Sequence, residues 1–217
     1  MVERYLSQGP LAHLHLAVRA AEAPERPGVT LAELAPRGLI DLRGDPDDDA
    51  FRAAAARVLG VALPVQPNTS AAGAGLPSPK RSSGFAQAGV TLFWLGPDEW
   101  LIAAPSERAA GLVAGLGEAL QGRHHAVVDL SSARATIAVA GARARDVLAK
   151  GCPLDLHPRA FKPGDCAQSH YAKASVLLCQ ADDAPTYHLT VARSFAEYLW
   201  LRLEDAALEY GCAVAAG

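Results

Sequence analysis

Cysteine is scarce in this chain: Cys152, Cys166, Cys179 and Cys212 are spread apart, with no close pair among them. That spacing excludes a zinc-knuckle signature and a dense disulfide framework, and the thiols read as reduced, cytosolic ones. Lysine is scarcer than arginine, since only Lys80, Lys150, Lys162 and Lys173 stand among the 20 basic residues. With the abundance of alanine, this is the bias of a GC-rich bacterial genome and carries no functional meaning. No segment concentrates positive charge, because 20 Lys and Arg face 23 Asp and Glu for a net charge of −3. The dense basic stripe needed to bind a phosphate backbone is therefore missing, which argues against nucleic acid as a partner. Also missing is an apolar run of roughly 20 residues, the length of a membrane-spanning helix. The longest candidate near the start, residues 11–21, is interrupted by His13, His15 and Arg19, which also argues against a signal-peptide core.

What is present is a chain of 217 residues, 50% hydrophobic and 20% charged, the composition of a globular protein of one or two domains. A chain of this length buries about 70% of the surface its unfolded form exposes, enough for a core without metal or disulfide staples.

Residues 1–36 are rich in Pro, Ala, Glu and Arg, with one amphipathic stretch from Leu11 to Arg19, and read as an N-terminal extension lying on something else. Gly38 to Arg43 alternates as a strand, after which Asp45-Pro46 and Asp47, Asp48 and Asp49 open a helix ended by Gly60. Residues 64–84 hold Pro64, Pro67, Pro77 and Pro79 in a Gly/Ser/Ala run and read as a long loop. Val90–Trp94 and Trp100–Ala103 form a hairpin around the turn 95–99, then Ser106 caps a helix over 108–120 and His125–Leu130 is a strand. The order over 37–132 is therefore βαββαβ.

Residues 133–217 repeat that order. Strand 135–139 precedes a helix over 142–150, strand candidates cover 166–171, 175–179 and 187–191, and Ser194 caps a helix running to about Tyr210. The expected fold is α+β, with two tandem split βαβ (ferredoxin-like) units built on antiparallel sheets. If each sheet carries two helices on one face, its other face must pack on its twin or on a partner.

Several residues invite a chemical reading. His13, His15, His124 and His125 are the only paired histidines, but no third ligand is spaced nearby, which favours plain surface or strand-start positions over a metal site. Asp129 beside Ser131 and Ser132 could be an acid poised next to hydroxyls; at a strand end the same residues form a turn. Gly111, Gly115 and Gly117 lie inside a helix rather than between a strand and a helix, so they do not cradle phosphate and point to close packing. Trp94, Trp100 and Trp200 read as core or interface aromatics. No residue is assigned a catalytic, cofactor-binding or metal-binding role.

The block from Val127 to Asp205 carries more. It contains G-C-P-L-D-L at 151–156, F-K-P-G-D-C at 161–166 and R-S-F-A-E-Y-L-W at 193–200, and F-W-L-G-P-D-E-W-L-I stands upstream at 93–102. Over about 38 to 210 the chain resembles the aminomethyltransferase superfamily, the folate-binding module of the glycine cleavage T protein. More narrowly, it resembles the gamma subunits of heterotetrameric sarcosine oxidases. The resemblance implies an accessory subunit of a cytoplasmic bacterial enzyme that oxidatively demethylates sarcosine with oxygen and tetrahydrofolate. It also implies alpha and beta partner subunits holding FAD, FMN, NAD and tetrahydrofolate, a delta subunit holding zinc, and no cofactor in this chain. Folate-using relatives place an acidic residue where this chain reads Tyr171-Ala172-Lys173-Ala174-Ser175-Val176-Leu177, so weak or no folate binding by this chain is expected. The alternative, a free-standing folate-dependent one-carbon transfer protein, requires that missing carboxylate.

Overall fold

A computed structural model of the chain describes residues 8–21, 26–73 and 89–215. In chain order the elements are α1 (Leu16–Ala20), β1 (Val29–Glu33), β2 (Gly38–Gly44), α2 (Asp49–Leu59), β3 (Ser70–Ala72), β4 (Thr91–Gly96), β5 (Glu99–Ala104), α3 (Ala109–Ala119) and β6 (His125–Asp129). The second half adds β7 (Arg134–Ala140), α4 (Ala144–Ala149), β8 (Cys166–Tyr171), β9 (Ala174–Asp182), β10 (Thr186–Ala192), α5 (Ala196–Ala207) and β11 (Cys212–Ala215).

Local chemistry explains most boundaries. Asp48 caps α2 by accepting hydrogen bonds from the Ala50 and Phe51 backbone amides at 2.8 and 3.1 Å, and Gly60 ends the helix at φ 71°. The two expected serine caps are corrected. Ser106 and Ser194 each lie in a single 3-10 turn, neither side chain caps, and the α-helices begin just after it at Ala109 and Ala196. Pro105 and Ala192 enter these turns at φ/ψ of −53°/136° and −58°/135°, so the same backbone device opens the last helix of both halves.

The fold is α+β. One sheet has the order β3-β4-β5-β2-β6 and the other β11-β1-β7-β10-β9-β8. In the first, β2 lies between β5 and β6 with antiparallel registers on both sides, the arrangement expected of a split βαβ unit. In the second, β7, β9, β10 and β11 take the places that β2, β4, β5 and β6 hold in the first, with one difference. Strand β1 is inserted between β7 and β11, antiparallel to β7 and parallel to β11.

This corrects the reading of residues 1–36 as an extension: Val29–Glu33 form an interior strand of the second sheet, with Val29, Leu31 and Ala32 fully buried. The alternation Val29-Thr30-Leu31-Ala32 was the available signal, hidden between Pro27 and Pro36. The expected loop over 64–84 also gives way at its start, where Ser70–Ala72 pair with Thr91–Phe93 as an edge strand; its remainder from 74 onward lies outside the described residues.

Four layers result. The outer face of the six-stranded sheet packs on α4 and α5, through Leu31, Ile137, Tyr187, Val147, Leu199 and Trp200 among others. The outer face of the five-stranded sheet packs on α2 and α3, through Ile40, Leu42, Trp100, Phe51 and Leu116. Gly115 permits close approach of α2 and α3, since a Cβ there would stand 3.3 Å from Val58. Between the sheets lies a smaller core of Leu39, Phe93, Leu101, Ala103, Cys166, Leu177 and Cys179. The helix-free faces therefore pack partly on each other, as layer architecture requires of apolar sheet faces. Among the described residues no helix is long and apolar enough to cross a membrane.

Candidate functional site: the cleft between the sheets

The two sheets are stitched along one side by main-chain contacts. Thr69 and Asp165 form an antiparallel bridge, the Cys166 amide donates to the Asn68 carbonyl at 2.9 Å, and the Ser70 amide and hydroxyl both donate to the Gly164 carbonyl. Gln168 reaches across from β8, its Nε2 donating to the Leu95 carbonyl at 2.8 Å. Beyond this seam the sheets diverge and leave a cleft of about 290 Å³.

The wall from the five-stranded sheet presents Asp41 and Arg43 of β2 and Glu99 of β5, with Leu95 and Leu101 beneath them. Period-two geometry puts Asp41 and Arg43 on the face of β2 opposite Ile40 and Leu42, which are buried toward the helices. Register brings Arg43 beside Glu99. The Arg43 guanidinium is shared between them, 2.9 Å from a Glu99 carboxylate oxygen and 3.4 Å from one of Asp41. Partial burial and the neighbouring Asp41 carboxylate raise the Glu99 pKa. The opposite wall comes from the six-stranded sheet: Arg134 at the start of β7, Ser169, Ser175, Leu177 and Thr190. The Thr190 hydroxyl is already hydrogen-bonded to that of Thr136 at 3.0 Å.

Deeper on the same face of that sheet, His188 is 4% exposed and its pKa falls from 6.5 to about 4, chiefly because burial disfavours the charged ring. Burial likewise pushes the Cys166 and Cys179 thiols up to about 12, so neither is a thiolate nucleophile at neutral pH.

The residues singled out from the sequence do not converge here. His13 pairs with Glu197 at 3.2 Å on the surface, His15 is a left-handed residue between a turn and α1, and His125 meets the Arg123 carbonyl. Among the described residues no group of three or more His, Cys, Asp or Glu is placed to hold a metal. Asp129 forms the turn: it accepts from the Ser131 amide and hydroxyl, which lower its pKa, and Ser131 in turn accepts from the Leu39 amide. Of the three helix glycines only Gly115 is closely packed. Trp100 and Trp200 are fully buried and Trp94 is half-buried. In the 171–177 stretch Tyr171 is buried and donates to the Val147 carbonyl at 3.0 Å, Ala172 makes the turn at φ 51°, and 175–177 line the cleft without a carboxylate. Asp41, Arg43, Glu99 and Arg134 were not anticipated as a group. They are scattered across the chain, and only the alternation in 38–43 hinted that two of them leave the core.

The chain also matches known proteins. The family described as sarcosine oxidase, gamma subunit matches residues 43–209. The sarcosine oxidase subunit gamma of Corynebacterium sp. (strain U-96) is 34% identical over 208 residues, covering 96% of this chain and 93% of its own. That of an Arthrobacter species is 35% identical over 175 residues, covering 81% and 78%. Among solved structures, a chain of the heterotetrameric sarcosine oxidase from Corynebacterium sp. U-96, in complex with pyrrole 2-carboxylate, superposes with a TM-score of 0.80 at 33% identity, over 95% of this chain and 97% of that one. The glycine cleavage system aminomethyltransferase T from Bartonella henselae shares the fold, with a TM-score of 0.58 at 15% identity over 95% of this chain and 51% of its own. With a family match over most of its length and relatives of this similarity, the chain belongs to the sarcosine oxidase gamma subunit family.

Proposed function

We propose that this chain is an accessory, non-catalytic subunit of a heterotetrameric sarcosine oxidase. The enzyme oxidatively demethylates sarcosine with oxygen and tetrahydrofolate, giving glycine, hydrogen peroxide and 5,10-methylene-tetrahydrofolate. The observation that carries this reading is the near end-to-end match, in sequence and fold, to one chain of a heterotetrameric sarcosine oxidase. In this reading alpha and beta subunits hold FAD, FMN, NAD and folate, a delta subunit holds zinc, and the assembly works in the cytoplasm. A docking role is supported by the outer surface of the C-terminal helical segment, where Phe195, Leu201 and Leu208 are 43%, 47% and 68% exposed. Of these, Leu201 and Leu208 stand seven residues apart on one side of the segment, and an obligate interface buries more than about 2,000 Å².

The test is to tag the chain in its host, grow the cells on sarcosine, purify gently and identify the co-purifying proteins by mass spectrometry. Stoichiometric flavoprotein subunits are expected. Recovery of the chain alone would overturn the accessory reading and favour the free-standing one-carbon transfer protein.

A further inference from the structure

Most polar groups around the inter-sheet cleft are already occupied. Arg43 is shared by Asp41 and Glu99, Gln168 is tied to Leu95, and Thr190 to Thr136. Arg134 is the group left over. It lines the same cleft, yet makes no ion pair and no side-chain hydrogen bond among the described residues.

The net charge of the two walls is opposite in sign. At neutral pH the wall from the five-stranded sheet carries Asp41, Glu99 and Arg43, a net single negative charge. The wall from the six-stranded sheet carries the positive charge of Arg134. Arg43 uses one oxygen of each carboxylate, and a carboxylate has about four acceptor positions, so each keeps capacity for a further donor. The cleft lies at the lower end of the range of small-molecule pockets, roughly 300–1,000 Å³. A simple anion drawn to Arg134 would face two carboxylates, a simple cation drawn to those would face two guanidinium groups, and an apolar guest would strip water from all four. A small molecule with opposite charges at its two ends complements both walls at once.

We propose that this cleft binds a small zwitterionic amino acid, its carboxylate on Arg134 and its ammonium on Asp41 and Glu99. Ser175, on the same face of β9 as Leu177, lies on the Arg134 wall as a further donor to the carboxylate. Leu95 and Leu101 beneath the ammonium position accept a methyl group or other small apolar substituent, so an N-methyl amino acid is as acceptable as glycine. This site is separate from the assembly reading, and the two can fail independently.

The experiment is calorimetric titration of the full-length chain with glycine and with N-methylglycine, against acetate and methylamine, which each carry one of the two charges. Saturable binding of both amino acids is expected, with acetate and methylamine at least about tenfold weaker. Arg134→Met should weaken the amino acids by about tenfold or more, through loss of a charge-assisted hydrogen-bond donor. Glu99→Gln should weaken them too, and reads the site from the other wall if Arg134→Met does not fold. Absence of saturable binding, glycine no tighter than acetate, or a folded variant that binds as the parent does would each overturn the proposal.

Discussion

His188 sits on the inner face of β10, opposite Ala138 of β7 and Cys179 of β9. Burial holds its pKa near 4, against an ordinary value of 6.5, with the Arg37 charge pushing the same way and Asp182 opposing. Below pH 6.5 the unfolded chain takes up a proton that the folded chain refuses, so stability falls as pH drops from 6.5 toward 4 and is fully present above 6.5. At one pKa unit per 1.36 kcal/mol the loss amounts to about 3 kcal/mol. Thermal melts of the parent across this window should show the fall, and His188→Gln should show a shallower slope. Equal slopes would mean that carboxylates elsewhere, not this ring, govern acid sensitivity.

At the scale of elements, β1 is what distinguishes the two halves. Its insertion gives the six-stranded sheet a strand donated from before the first βαβ unit, so the second unit is completed by a segment distant in sequence. Leu31 is fully buried against the outer-face core, and Leu31→Ala should cost about 2–5 kcal/mol in chemical denaturation. Truncation through residue 34 should do more, leaving β7 and β11 without the strand that hydrogen-bonds to both. The expected result is an insoluble or non-cooperative chain, rather than a folded subunit that merely assembles poorly. A truncated chain with a sharp unfolding transition would show that β7 and β11 can close up as β2 and β6 do in the other sheet.

For the molecule as a whole, the question is whether the two sheets part without unfolding. Cys166 and Cys179 face each other in the inter-sheet core and have pKa values of about 12, so in the closed protein they resist alkylation at pH 8. Their labelling by iodoacetamide should track global unfolding measured in parallel by circular dichroism. Labelling much faster than unfolding would show that the sheets separate as two bodies about the seam at Thr69 and Asp165. Leu39, Phe93 and Leu101 are all buried in that inter-sheet core, which argues for a single cooperative unit.

The βαββαβ order of the first half, the hairpins, the helix opened by the 45–49 aspartates and the family were legible in the sequence, because each depends on residues near one another along the chain; the closing strand Cys212–Ala215 of the second half was not anticipated. Period, turn chemistry and short conserved-looking strings are local quantities. Two serines misled for a related reason: Ser106 and Ser194 stand in cap-like contexts, but the backbone enters each helix through a 3-10 turn that a residue-by-residue reading does not resolve. What the tertiary structure alone decided is the place of β1 and the make-up of the cleft. Val29–Glu33 acquire their meaning from β7 and β11, more than 100 residues away. Asp41, Glu99 and Arg134 come to one cavity only because two sheets, each amphipathic in its own right, close over a core too small to fill the space between them.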